Sequence, residues 1–339
     1  GRLSRLHGSE TALVAGCPRK LGQRQRAQKV GRQTNRWSLC VSPSYQSGAT
    51  MTSPTDHGLE QDAITLGGIN LAFWLASLGL GKTWPVDFIW SCFPPLLCLL
   101  IIVREPETGV CERRIVGCTL VATWGFRLTH NFVSRGGVGH EDWRYSDMRR
   151  TFGRHFWWAS LFSVFLGQAA FLFSACLSLY GVLCAPEPLT ATDAAGAAVC
   201  FGAVLLEAAS DLQMDAFVAA RREHRTDATV IDRGLWMWSR HPNYLGELTW
   251  WWGLYLLGVP AAAPGWVVVG PVSMTFLFVC VSIKLMEDRQ RGSKGEAWIK
   301  YTRAVPSPLL LVPPPINRRL GKWLHAAESG EAARSPLNG

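Results

Sequence analysis

From about position 64 to about position 286, long apolar stretches alternate with short charged ones. Half-buried strands would show a period of two, and surface helices would show one apolar stripe; neither pattern dominates here. Seven apolar segments can be drawn, at roughly 64–80, 86–103, 115–133, 155–182, 194–219, 243–259 and 264–286. A membrane-spanning helix needs about 20 predominantly apolar residues. The pattern therefore predicts an all-α fold, a polytopic integral membrane protein with about seven transmembrane helices. The fourth segment has the length for two short helices, but no turn signal interrupts Trp157 to Tyr180, so one long tilted helix is expected. Between the sixth and seventh, the uncharged run from Val259-Pro260 to Pro264-Gly265 reads as a tight turn. It predicts a C-terminal helical hairpin.

Charge orients this bundle. Residues 134–154 carry five arginines, 219–242 carry five, and 286–303 carry five Lys/Arg. The connections at 182–193 and 260–263 carry none. By the positive-inside rule the three basic segments, and with them the C-terminus, are expected to be cytoplasmic. Residues 51–63 hold Asp56, Glu60 and Asp62 and no Lys/Arg, which suits an outside start for the first helix. Aromatics collect at the expected borders: Trp157 and Trp158, Trp236 and Trp238, and Trp250 to Trp252. For most of them an interfacial belt is the expectation.

Composition refines this picture at the ends. The net charge of +9 suggests nucleic acid until it is divided. Residues 1–50 hold nine Lys/Arg against Glu10 alone, a net +8 that leaves +1 for the rest. No nucleic-acid groove is expected in the body. The basic leader, with no Met before Met51, has three readings: upstream sequence ahead of a start at Met51, an Arg-rich transit peptide, or a functional basic tail. The membrane domain is placed at 51–313, with a cofactor-binding half at 194–303, and the polar residues 314–339 are expected to be a disordered tail. The ten cysteines show no metal-ligand spacing, and most lie within apolar runs, so neither a disulfide framework nor a metal site is expected.

Polar residues inside apolar segments carry the candidate chemistry, because an ionisable group at membrane depth is costly and by default functional. In the stretch from Asp232 to Glu247, Pro242 suits the first turn of a helix, which makes His241 its N-cap. The free N–H groups of that turn, beside Arg240, would form an anion site. Counted along one helix, Arg240, Asn243, Tyr244 and Glu247 share a face. The plainer alternative is that Glu247 complements the helix dipole and pairs with Arg240. On the preceding helix Glu207, Asp211 and Asp215 recur every four residues, and Arg222 extends that face. They read as one wall of a polar cavity, or as structural partners of loop arginines. Glu141 to Tyr145 with Met148-Arg149, and Glu287 to Tyr301, form two further charged clusters whose charge topology alone would explain.

The run Gly234-Leu235-Trp236 through Arg240-His241-Pro242-Asn243-Tyr244 to Gly246-Glu247 resembles the C-terminal signature of the steroid 5-alpha-reductase superfamily, most closely its largely uncharacterised branch. Asp211-Leu212-Gln213 with Phe217 resembles that branch's upstream element, and the likeness extends over about residues 64–313. The resemblance implies a nicotinamide cofactor, NADPH, held by the cytoplasmic loops and last helices. It also implies a lipid-like substrate entering from the bilayer, whose activated C=C bond is reduced. Carried over by position, Arg240, Asn243 and Tyr244 would bind phosphate and amide groups, with His241, Arg222, Glu287 and Tyr301 also on the cofactor. Asp211 and Gln213 would contact its ribose or adenine, and Glu247 would sit near the nicotinamide. Tyr145 and Tyr244 are the candidate proton donors. Isoprenylcysteine methyltransferases share the hairpin and an Arg-His-Pro-x-Tyr run but bind S-adenosylmethionine. Asn243 and Glu247 differ from that branch's pattern and favour the reductases, while His241-Pro242 departs from the steroid-reducing members and leaves the substrate open. A membrane-embedded NADPH-dependent lipid reductase of the endoplasmic reticulum is the expectation. The alternatives are a lipid methyltransferase and a non-catalytic ligand-binding scaffold.

Overall fold

A chain crossing a bilayer must satisfy its backbone hydrogen bonds within itself, and helices do so locally. The computed structural model describes residues 58–328, apart from 107, 108, 110, 186 and 260–264. The chain divides into two units, Gly1–Thr50 and Met51–Gly339. The first, the basic leader, lies outside the described residues, as does the turn expected at 260–264.

The described residues form helices and no strand. In chain order they are α1 (Leu59–Leu80), α2 (Pro85–Arg104), α3 (Glu112–Ser134), α4 (Trp143–Leu183), α5 (Ala191–Arg222), α6 (Pro242–Gly258), α7 (Gly265–Lys294), α8 (Glu296–Ala304) and α9 (Pro314–Glu328). Helices stand at all seven expected places. Five of them, α1, α2, α4, α5 and α7, are long and apolar enough to cross a membrane. The other two differ for physical reasons. α6 has only 17 residues, and α3 carries Arg127, His130 and Asn131 in its second half. α6 turns Glu247, and α3 turns Arg127 and Asn131, to the interior of the bundle, while His130 is exposed.

The spans are largely unburied by protein and leave Ile64, Leu75, Phe162, Phe201, Leu212 and Phe276 exposed. Apolar surface on that scale suits lipid. α4 is a 41-residue run, about 60 Å at 1.5 Å per residue, twice the hydrocarbon thickness of about 30 Å. It bends at Gly153, whose φ of 51° an L side chain rarely adopts, so the amphipathic Trp143–Phe152 turns off the spanning part. Where one long helix was expected, π-helical geometry interrupts it at Leu161–Leu166, and the same geometry recurs in α7 at Leu277–Ser282.

One end of the bundle is locked by buried ion pairs. Arg104 forks onto Asp62 at 2.9 and 2.6 Å, with the Tyr180 hydroxyl donating to the same carboxylate at 2.6 Å. Arg113 forks onto Asp193 at 2.8 and 3.0 Å. At the other end the three basic segments converge, Arg289 of α7 lying over the Trp143 ring.

Two expectations are corrected. Trp250 and Trp251 are not a belt: both are fully buried, Trp124 stacking on the first with centroids 5.5 Å apart and meeting the second edge-on at 5.4 Å. Only Trp252 of that run is exposed. The tail expected to be disordered from 314 is helical to Glu328. Asn317, fully buried, donates to the carbonyls of Met237, Trp238 and Val312 at 3.0–3.1 Å and pins α9 to the body.

Candidate functional site

The most extensively packed helix pair, α5 with α6, is set by small residues. A Cβ on Gly246 would lie 3.1 Å from the Ala203 carbonyl oxygen, and one on Gly253 would lie 2.8 Å from Cys200 Sγ. Without side chains there, the two backbones approach closely. That approach brings Glu207 of α5 beside Glu247 of α6, both facing one cavity.

The cavity has a volume of about 870 Å³ and opens between α2, α3, α4, α5, α6 and α7. Leu128, Phe132, Phe171, Leu277, Phe278 and Leu285 make its walls apolar. Both π-helical segments contribute residues to it, Ser163 from α4 and Leu277 to Ser282 in part from α7; such bulges frequently mark functional sites. A second chamber of about 190 Å³ adjoins it towards the basic end, lined by Arg135, Arg240, His241, Lys294, Trp298 and Tyr301 among others. Asp211, Asn243 and Tyr244 line both.

Most of the predicted residues meet here. Glu247 accepts from Trp251 Nε1 at 3.0 Å and from Trp124 Nε1 at 3.2 Å. Tyr244 stacks on His241 with centroids 5.3 Å apart and meets the Phe278 edge at 5.0 Å. The carboxamide of Asn243 makes no hydrogen bond within the protein. The Tyr145 hydroxyl donates to Asp87 Oδ1 at 2.7 Å and accepts from Gln168 Nε2 at 3.0 Å. Tyr301 donates to the Trp236 carbonyl at 2.7 Å, and burial pushes its phenol well above the ordinary tyrosine range.

Other predicted residues lie elsewhere. Arg222 ends α5 exposed and away from both chambers, because the stripe it extends has by then left the bundle. Gln213 instead accepts from Leu235 N at 2.8 Å and fixes the turn before α6. Glu287 sits behind the wall, holding Arg240 Nε at 2.7 Å and His241 Nε2 at 3.1 Å. Arg240 and Glu247 do not share a chamber, nor do they pair. His241 is the N-cap and Pro242 the first residue of α6, as expected. But the helix does not reach back past Pro242: a 3-10 turn at Gly234–Met237 is followed by the irregular residues Trp238 to Arg240, and Arg240 N and His241 N donate to the Ser307 and Pro308 carbonyls, each at 3.0 Å. The face counted from Arg240 along a helix therefore does not exist. Its guanidinium is further occupied by the carbonyls of Val305 and Pro306, at 3.0 and 2.5 Å.

The cation that does serve the carboxylates is Arg127 of α3. It forms an ion pair with Glu207, donates to Asp211 Oδ2 at 2.8 Å, and lies 3.7 Å from Glu247. Asn131 and Arg135, one and two turns on, add bonds to Asp211 at 3.0 and 3.3 Å. An arginine inside an apolar segment, followed at i+4 and i+8 by Asn and Arg, was the signal in the sequence.

A family model for proteins of unknown function, DUF1295, matches residues 73–305. The chain belongs to that family. This span holds the whole two-chambered cavity, from Asp87 to Tyr301. A similar protein is the uncharacterized protein C594.04c of Schizosaccharomyces pombe, 27% identical over 212 residues, which cover 56% of this chain and 61% of the relative. The aligned part thus spans under two thirds of that relative's length. No solved structure matches the chain.

Proposed function

We propose that this protein is a membrane-embedded NAD(P)H-dependent reductase of a C=C bond in a lipid substrate, steroid-like or otherwise. The observation that carries the reading is the junction of the two chambers at Asn243 and Tyr244. A polar, basic chamber meeting a larger apolar one suits a two-ligand reaction between a charged nucleotide and an oily acceptor.

The residues present fit such a nucleotide. Trp298 Nε1 and Gln290 Oε1 are buried in the small chamber without hydrogen-bond partners, and the Asn243 carboxamide is free at the junction. Orphaned buried polar atoms are costly unless a ligand or water satisfies them. Arg135 and Lys294 supply positive charge for phosphate. When bound, the nicotinamide supplies hydride to one carbon of the activated double bond.

The chain's own residues do the rest. Tyr244, held between His241 and Phe278, presents a fixed wall against which a flat ring can lie. Glu247, with Trp124 and Trp251 on its two oxygens, fixes polarity at the inner end of the junction. The apolar walls of the large chamber exclude water. Tyr145 lines that chamber; turned away from Asp87 Oδ1, which accepts its proton at 2.7 Å, the hydroxyl would give that proton to the second carbon or to a conjugated carbonyl, and the phenolate left behind would be reprotonated from water.

Thermal unfolding of the full chain in detergent, with NADPH, NADH or S-adenosylmethionine added, tests the reading. A ligand at about 100 times its dissociation constant stabilises the native state by about 2.7 kcal/mol. A shift with a nicotinamide nucleotide is expected. A shift with S-adenosylmethionine alone would turn the assignment to a methyltransferase, and no shift with any of them would leave a non-catalytic scaffold.

A further inference from the structure

The C-terminal helix α9 has three distinct faces. Asn317 and Gly321, one turn apart, are buried against the body: Asn317 through its three carbonyl bonds, and Gly321 against the Arg303 carbonyl. About a quarter-turn round the helix from that seam, Ile316, Leu320 and Trp323 recur at i, i+4 and i+7 and are all exposed, Trp323 at 63%. Beyond them Arg318, Arg319 and Lys322 occupy the remaining arc. A helix docked by one face normally turns polar residues outward. This one turns an apolar stripe outward, with Arg319 on its border and Lys322 and Arg318 on the arc beyond.

The surroundings continue the stripe. Leu310 and Leu311, in the segment leading to α9, are exposed, as is Trp238, whose carbonyl Asn317 holds. All of these lie at the start of α6, at the end of the bundle where the basic segments converge. The exposed apolar surface of the spans runs towards that same end, with Leu212 and Val218 on α5. So the outward stripe of α9 extends a surface already suited to lipid.

We infer that α9 is an interfacial helix: Ile316, Leu320 and Trp323 enter the acyl boundary of one leaflet, and Arg318, Arg319 and Lys322 engage anionic lipid headgroups. An in-plane helix of this kind has an apolar face, a basic border and an indole at headgroup depth. Anionic lipid is concentrated in the cytoplasmic leaflet, the side on which the charge pattern puts this end of the chain. Docking by Asn317 and Gly321 holds the helix beside the bundle, so its insertion fixes the height at which the small chamber's basic residues meet the membrane surface. The inference stands whether or not the cavity houses a reductase.

The test uses the full chain reconstituted in vesicles of phosphatidylcholine, with and without phosphatidylserine, containing lipid brominated near the headgroup end of its chains. The readout is the tryptophan quenching of the unsubstituted protein minus that of Trp323→Phe, which isolates the single indole. Quenching of Trp323 that increases on adding phosphatidylserine is expected. In the variant with Arg318→Glu, Arg319→Glu and Lys322→Glu, that increase should vanish, while amide exchange over 314–328 confirms that the helix persists. Equal quenching in both vesicles would overturn the headgroup assignment. An unquenched Trp323 would overturn the inference altogether, and would mean that water, a second copy or another protein covers the stripe.

Discussion

The guanidinium of Arg127 donates through Nη1 to Asp211 Oδ2 at 2.8 Å, joining α3 to α5 at the centre of the bundle. The same group also pairs with Glu207 and stands 3.7 Å from Glu247, so one cation faces three carboxylates. Glu207 is 1% exposed, and neither of its oxygens has a well-formed hydrogen bond beyond that ion pair. A buried pair does not always add stability over an apolar core, but removing one partner is strongly destabilising.

Arg127→Ala should accordingly destabilise the protein by about 3–5 kcal/mol, the range for stranding a buried charge. Unfolding of the purified chain in detergent measures it. Glu207→Gln, which keeps the shape and removes one of three competing negative charges, should cost far less. If Arg127→Ala unfolds at the same temperature as the unsubstituted protein, Arg127 is not the organising cation.

Asn317→Ala removes the two amide N–H donors, shared among three carbonyls, that anchor α9. Each contributes about 1 kcal/mol net, and their carbonyl acceptors would lose a partner. The consequence should be local release: amides over 314–328 should exchange faster and proteases should cut there sooner, while the spans keep their protection. Global unfolding in place of local release would show that α9 belongs to the core.

Tyr145→Phe deletes only the oxygen that bridges Asp87 and Gln168. On the reductase reading, nucleotide binding should persist, because Tyr145 lines the large chamber and not the small one. Turnover should fall about 10²- to 10⁴-fold, the usual contribution of a positioned proton donor. Single-turnover kinetics at saturating nucleotide separates the two effects. An unchanged rate would move the proton donor elsewhere.

Much of this architecture is legible in the chain, because each apolar segment needs no partner to declare itself. Helices stand where all seven segments were drawn, and the N-cap His241 with Pro242 behind it follows from local backbone chemistry. The site was legible where polar residues repeat along one helix, as Glu207 and Asp211 do. It was not legible where the partner comes from another helix: Arg127 lies 80 positions before Glu207 and 84 before Asp211, and no local spacing links them. Nor could the segment before α6 be read. Arg240 looked like part of a helix face because a sequence does not reveal that residues 305–308, far downstream, hold it outside the helix. The three tryptophans of α6 looked like a belt for a similar reason. Position on one helix does not show that Trp124 of another covers two of them.

That change in the place of Arg240 alters which substitution probes nucleotide binding. Arg240 is bound to Glu287 and to the carbonyls of Val305 and Pro306, so Arg240→Ala leaves that carboxylate with His241 alone and frees the strap that carries α8 towards α9. It should lower stability even without ligand. Asn243 has no partner within the protein and lines both chambers, so Asn243→Ala should leave the ligand-free unfolding temperature within a degree or two, since surface-like changes with no lost contact stay within about 0.5 kcal/mol. With NADPH added, the same variant should lose most of the stabilisation that the unsubstituted chain gains. Comparing both variants with and without nucleotide makes the distinction direct. A full nucleotide shift retained in Asn243→Ala would place the ligand outside the junction, and the two chambers would then have to be explained as separate sites.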